Sequence, residues 1–191
     1  MMFLTKPSRD VLQPRLDAQR DEQLNYPEAG LTLRTPPSRF SADRTEIELG
    51  SGDDVFRLAV EGLKSWRHFE TGWTELCWDD VPVETGNDVG VLARVFGVWM
   101  LNFCRVVQVV ETDDEFSFAY GALAEHAETG EDRFSVKRMP DGSTRYEIYA
   151  VSRPRQWLVW MGYPVTRVMQ RRFRADSAAA LQRYVTQRLS S

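Results

Sequence analysis

The sequence predicts an α+β fold, a curved antiparallel sheet of about six or seven strands packed around a long C-terminal helix. Three observations predict it. Residues 164–189 carry Val165, Val168, Met169, Phe173, Ala180, Leu181, Tyr184 and Val185 at three- and four-residue spacings. That pattern is one apolar face of a helix about seven turns long. A helix of this kind is marginal alone and needs a packing partner. The region before it supplies strand-like segments in series, separated by turn signals. The order is strand, helix, several strands, long helix, and the absence of βαβ alternation excludes a Rossmann sheet.

Composition bounds the rest. The chain has 191 residues, 42% of them hydrophobic, enough for a real core. One domain over residues 25–191 is expected, preceded by a peripheral N-terminal arm over 1–24. Twenty-four basic against 28 acidic residues give a net charge of −4, so no general affinity for nucleic acid is implied. Cys77 and Cys104 are the only cysteines, too few for a disulfide framework, which fits a reduced, cytoplasmic setting. The first residues lack a signal-peptide pattern. The longest apolar run, 95–101, falls far short of the roughly 20 residues a membrane span needs.

Taken in order, residues 1–23 are polar, with Val11, Leu12 and Leu16 placed to line a short amphipathic helix. Residues 25–37 contain YPEAG and TPP, which read as turns. Thr45, Ile47 and Leu49 alternate with polar residues in a first strand. Asp53 or Asp54 is expected to cap a helix over 54–67 that shares Val55, Phe56, Ala59, Val60, Leu63 and Trp66 on one face. Gly62 inside it costs about 1 kcal/mol relative to Ala, and its lack of a side chain suits a close neighbour. Strands are expected at 73–78, 89–98, 101–110, 116–121, 133–138 and 146–150, with Asn102 separating the second and third. Pro-Asp-Gly at 140–142 is a hairpin turn. The apolar piece 157–163 either extends the last helix or forms a separate turn.

Chemistry concentrates in residues 116–131, where Tyr120, Glu125, His126, Glu128 and Glu131 lie close in sequence. A histidine beside carboxylates suits a general acid or base, with Glu131 to orient it; the plainer alternative is a hairpin loop whose histidine caps a strand end. With only His68 and His126 and without HExxH or paired CxxC patterns, no metal is expected. Nothing resembles a nucleophile elbow, a phosphate loop, or a nicotinamide or flavin motif, so no cofactor is expected. Cys104 falls in a strand as an inert thiol. Arg105 has apolar neighbours; facing inward, it needs a carboxylate such as Glu131 or an anionic ligand, and facing outward it is solvated. Arg153 before Pro154 poses the same choice. Trp66 and Phe118 belong to an aromatic supply that suits either a filled core or a pocket for an apolar ligand. Charge is uneven: residues 110–132 hold eight acidic residues and no basic one, whereas 163–191 hold six arginines. Arg167, Arg171, Arg172 and Arg174 form a polar helix face, suited to an anionic membrane or to pairing with the molecule's own acids.

Several stretches together carry a resemblance. YPEAG at 26–30, the helix ending in Trp66, VGVLARVFGVWMLNFCRVVQVV, FAYGALAEHAETGEDRFSV, VSRPRQWLVWMGYP and QRRFRADSAAALQRYV resemble uncharacterised protein family 0548, a domain-of-unknown-function family, from about Tyr26 to Val185. The family pattern around the histidine resembles F-x-Y-G-T-L-P-x-H followed by G-E-E-x-F. Tyr120, Gly121, Leu123, His126, Gly130, Glu131 and Phe134 match it. Ala122 replaces the threonine, Ala124 the proline and Asp132 the second glutamate, so no role needing that hydroxyl carries over. The resemblance implies the helix-grip, START-like ligand-binding class that includes pollen-allergen-like and lipid-transfer-like domains. It implies no reaction.

Three functions follow as expectations. One is a soluble protein binding a small apolar or amphipathic molecule between sheet and C-terminal helix, with Tyr120, Arg105, Arg153, Trp66 and Phe118 as ligand contacts. A second is a cofactor-free hydrolase or cyclase using His126 with Glu131. The third is an interaction or anionic-membrane role of the arginine-rich helix.

Overall fold

A computed structural model describes residues 1–78, 80–155 and 163–190. Its centre is an antiparallel sheet. The strands are β1 (Met2–Phe3), β2 (Ser41–Ser51), β3 (Thr74–Leu76), β4 (Asp88–Val95), β5 (Val98–Glu111), β6 (Glu115–Ala122), β7 (Glu128–Arg138) and β8 (Ser143–Pro154). The helices are α1 (Arg9–Gln19), α2 (Asp53–Lys64) and α3 (Tyr163–Leu189). Seven strands run in the order β2-β8-β7-β6-β5-β4-β3, and the two-residue β1 pairs with the start of β5. The expected sheet and long helix are therefore both present. The piece 157–163 lies, but for Tyr163 at the start of α3, outside the described residues.

The meander follows from local chemistry. Gly142 takes a positive φ of 82°, and its N–H donates to Met139 O at 2.9 Å, closing the β7–β8 hairpin at the expected Pro-Asp-Gly turn. The β4–β5 turn falls at Phe96–Gly97 and not at Asn102, because both residues adopt positive φ and leave β5 continuous through Asn102. β7 begins at Glu128, five residues before the expected start, which leaves only a short loop around His126. Asp53 and Asp54 sit in the first turn of α2 without a side-chain cap bond; Gly52 is the N-cap. Their charges favour the helix N-terminus through its dipole.

Each face of the sheet carries its own layer. One face holds the main core: Val106, Phe116, Phe118, Phe134, Val136, Tyr146 and Ile148 from the strands, covered by α2 and α3. α3 crosses α2 at Gly62, where an added Cβ would lie 2.7 Å from Leu181 Cδ1 and 2.8 Å from Tyr184 Cδ1. The close approach expected at this glycine is present. The opposite face is covered by residues 1–33. Leu12 of α1, 2% exposed, packs on Leu92, Leu101, Phe103 and Leu123, and Tyr26 and Leu31 pack on Val151. The segment expected as a peripheral arm thus lies against the sheet.

The seat of α3 differs from its apolar pattern. Val165 and Val168 are 47% and 53% exposed, while Arg174 and Ser177 are buried. The reason is Asp43 on β2. It accepts from Arg167 Nη2 at 2.7 Å and lies 3.5 Å from Arg174 Nη2. Two arginines of the polar helix face thus pair with one of the molecule's own acids and are turned toward the sheet, where burial with a partner avoids the cost of a lone charge.

Candidate ligand cavity

Strand parity decides what faces α3. On β7, Glu128, Gly130, Asp132 and Phe134 alternate with Thr129, Glu131 and Arg133. The former set faces α3, and the latter faces the N-terminal layer. On β6, Tyr120 pairs directly with Asp132 in register.

Between the sheet and the first half of α3 lies a cavity of about 260 Å³. Its apolar walls include Val91, Met100, Met169 and Phe173. At its polar end stand Tyr120, His126, Glu128, Asp132, Asn102 and Gln170. A smaller niche of about 20 Å³ continues from that end, lined by Tyr120, His126, Glu128, Gly130, Asp132 and Ser152 among others. A mostly apolar cleft with a few convergent polar groups is the usual form of a small-molecule site. A second groove, of about 440 Å³, lies against α1 and β3, but charges along it pair with each other: Lys6 with Glu75 and Arg67 with Glu70, each at 2.6 Å.

The polar end is electrostatically unusual. Tyr120 Oη donates to Asp132 Oδ2 at 3.2 Å. Burial, and then the charge of Glu128, push the Asp132 carboxyl up to about 7. Burial also raises Glu128, although the Ser152 hydroxyl donates to it and Gln170 Nε2 donates to its Oε2 at 2.7 Å. His126 Nδ1 accepts the Glu128 N–H at 3.0 Å, which places the ring proton on Nε2. Burial lowers this imidazole to about 4, so it is neutral at physiological pH. Burial, with Asp132 next, raises the Tyr120 hydroxyl well above its ordinary value.

The expected site residues divide sharply. Tyr120 and His126 line the cavity. Glu131 does not serve His126. Its two oxygens accept from Tyr26 Oη at 2.7 Å, Gly30 N at 2.6 Å, Thr32 N at 3.1 Å and Thr32 Oγ1 at 3.3 Å, all on the opposite face. Gly121 allows this, since a Cβ there would sit 2.0 Å from Tyr26 Oη. Arg105 faces that same side and meets Asp88, its cross-strand partner, rather than Glu131. Nε reaches Asp88 Oδ1 at 2.6 Å, Nη2 reaches Oδ2 at 3.0 Å, and the guanidinium also donates to the carbonyls of Gln19, Arg20 and Glu22 at the end of α1. Arg153 lies over the Phe40 ring, 5.3 Å from its centroid, again outside the cavity. Trp66 and Phe118 are core: their rings meet edge-on at 4.9 Å, and Trp66 Nε1 donates to Val81 O at 2.7 Å.

Glu128 belongs to the cluster singled out around His126, whereas residue type alone does not mark Asp132, Asn102 and Gln170 as cavity residues. For Asp132 a signal exists in the period of two running back from Phe134, a core residue, through Asp132 to Glu128. Among the described residues, no group of three His, Cys, Asp or Glu side chains is placed to hold a metal ion, and no helix is long and apolar enough to cross a membrane.

A curled antiparallel sheet closed by a long C-terminal helix, with a cavity between them, is the helix-grip class of protein. Solved structures agree with that fold. A protein from Nitrosomonas europaea superposes with a TM-score of 0.52 at 11% identity, covering 78% of this chain and 97% of that one. A norcoclaurine synthase variant from Thalictrum flavum superposes with a TM-score of 0.51 at 16% identity, covering 78% and 96%. Residues 25–180 match the family described as a domain of unknown function, DUF1990, and the chain belongs to it. A UPF0548 protein of Dictyostelium discoideum is 34% identical, with 93% of this chain and 92% of the relative covered. One from Arabidopsis thaliana is 28% identical, with 76% and 74% covered.

Proposed function

We propose that this protein binds a small apolar or amphipathic molecule in the cavity under α3. The observation that carries this reading is the composition of the cavity: Val91, Met100, Met169 and Phe173 along its length, with Tyr120, His126, Glu128 and Asp132 gathered at one end. The apolar length supplies affinity through burial, at about 25 cal/mol per Å² removed from water. The polar end orients the ligand. Catalysis by His126 with Glu131 gains no support, because Glu131 is committed on the other face. A membrane role of the α3 arginines gains none either. Arg167 and Arg174 meet Asp43, Arg172 meets Asp176 at 3.2 Å, and Arg188 lies 3.8 Å from Glu61.

The test combines native mass spectrometry of freshly purified protein with titration of a hydrophobic reporter dye, using the wild type and Ala93→Trp, which places a large ring in the cavity wall. A ligand mass lost on denaturation, or dye binding that Ala93→Trp abolishes while thermal unfolding is unchanged, is the expected result. Dye binding of equal strength in both proteins, with no bound mass, overturns the reading.

A further inference from the structure

The charge balance of the cavity goes further than its shape. Among its described lining residues the side chains that carry a formal charge are Glu128 and Asp132, and neither lysine nor arginine is present. The two arginines that α3 turns toward this side, Arg167 and Arg174, are engaged by Asp43. His126 is held as an acceptor at Nδ1 and adds no charge. Among the described residues the carboxylates are also under-served. Asp132 takes a bond from Tyr120, and Glu128 takes bonds from Gln170 and Ser152; an ionised carboxylate has capacity for about four. Glu131, the residue before Asp132, receives four.

The local backbone shapes a receptor at that end. Glu128 and Asp132 project to one face with Gly130 between them, where an added Cβ would sit 2.0 Å from Val151 O, and a niche of about 20 Å³ adjoins all three. That is room for about one non-hydrogen atom and its hydrogens, since a single water needs roughly 10–15 Å³ on this measure. Ser152, Tyr120 and His126 are among the other residues of its walls. An anionic head group entering here meets two carboxylates. A neutral one leaves their charge only partly compensated, by the Arg167 and Arg174 charges that Asp43 already shares, in a poorly solvated cleft. A cation with several N–H donors answers both defects, because charge-assisted hydrogen bonds to carboxylate are the strong ones.

Resting on the binding function proposed above, we infer that the ligand of this cavity is a cationic amphiphile, a protonated amine whose head sits at the Glu128–Asp132 end and whose apolar body lies along Met100, Met169 and Phe173. The recognised chemistry is one ammonium group on a hydrocarbon frame.

Isothermal titration at pH 8 and low salt with octylamine, 1-octanol and octanoate tests it, because the three share a chain and differ in head group. Octylamine is expected to bind at least about tenfold more tightly than 1-octanol, and octanoate more weakly than both. Glu128→Gln with Asp132→Asn is expected to bring octylamine to the level of 1-octanol, and Ala93→Trp to abolish binding of both. If 1-octanol binds as tightly as octylamine, the amine inference falls and the cavity stands. If the tenfold preference survives in the double variant, the carboxylate assignment falls. If none of the three binds, the binding function and the inference fall together.

Discussion

Glu131 and Asp132 are neighbours on one strand and lead opposite lives. Glu131, 1% exposed, faces the N-terminal layer and receives four hydrogen bonds from residues 26–32. Asp132 faces α3, accepts from Tyr120, and holds its proton up to about pH 7. The same contrast separates the two sides of the sheet. On the N-terminal side Arg105 is bound by Asp88 and three carbonyls, so its charge is fully used in holding α1. On the α3 side His68 lies 0% exposed among Trp66, Phe69 and Phe134, with neither ring nitrogen hydrogen-bonded among the described residues. Satisfied polar groups do structural work, and under-satisfied ones are where a protein keeps capacity for something else.

The largest test of this contrast is Glu131→Ala. It leaves Tyr26 Oη and the Gly30 and Thr32 N–H groups without their acceptor, and about 4 kcal/mol of stability should be lost. Urea unfolding measures it; a loss below about 1 kcal/mol would mean that the carboxylate does not hold the N-terminal layer. Arg105→Ala should cost about 2–3 kcal/mol, since it strands Asp88 and uncaps the carbonyl end of α1. Hydrogen exchange should then quicken in α1 while β7 and β8 stay protected, and uniform quickening would contradict a local role for the arginine.

Asp132→Asn should act the other way. Unfolded Asp sheds its proton near pH 4, whereas the folded protein keeps it to about pH 7. Over that window the folded state binds more protons, so this group's contribution to stability falls as pH rises. The variant should therefore gain on the order of 2 kcal/mol at pH 8 and little at about pH 4, as read by thermal unfolding at both values. An equal effect at the two pH values would show that Asp132 titrates normally.

His68→Phe is the smallest change, with an expected gain of about 1 kcal/mol at about pH 7 from removing two unpaired nitrogens in an aromatic cluster. It also alters the acid limb. Burial holds His68 down to about 3, while an unfolded histidine takes its proton near pH 6.5. Stability contributed by the neutral ring is complete above about pH 6.5 and is lost as pH falls toward about 3. The variant should unfold at lower pH than the wild type in an acid titration followed by Trp fluorescence, and coincident titrations would remove His68 from the account. His126, held to about 4, leaves part of the acid sensitivity in place.

Legibility from the sequence follows periodicity. The element order, the Pro-Asp-Gly hairpin, the tight spot at Gly62 and the long last helix are readable because each rests on contacts within a few residues or on a strong apolar rhythm. The turn at Phe96–Gly97 is not, because Phe is an unusual occupant of a positive φ and the apolar run passes through it without a break. Of the site, Tyr120, His126 and Glu128 are found by residue type and closeness in sequence. Arg105, Arg153, Trp66 and Phe118 are not separable into inside and outside by type alone.

What the sequence by itself determined is the class of each segment: amphipathic helix, alternating strand, polar loop, and a family signature running from Tyr26 onward. The tertiary structure alone decided which partner each charged group meets. Glu131 finds Tyr26 across 105 residues of chain, Arg167 finds Asp43 across 124, and Asp132 finds Tyr120 across 12. Periodicity names the face a side chain takes relative to its own strand or helix, but the electrostatic fate of a carboxylate depends on what the far end of the chain brings to that face.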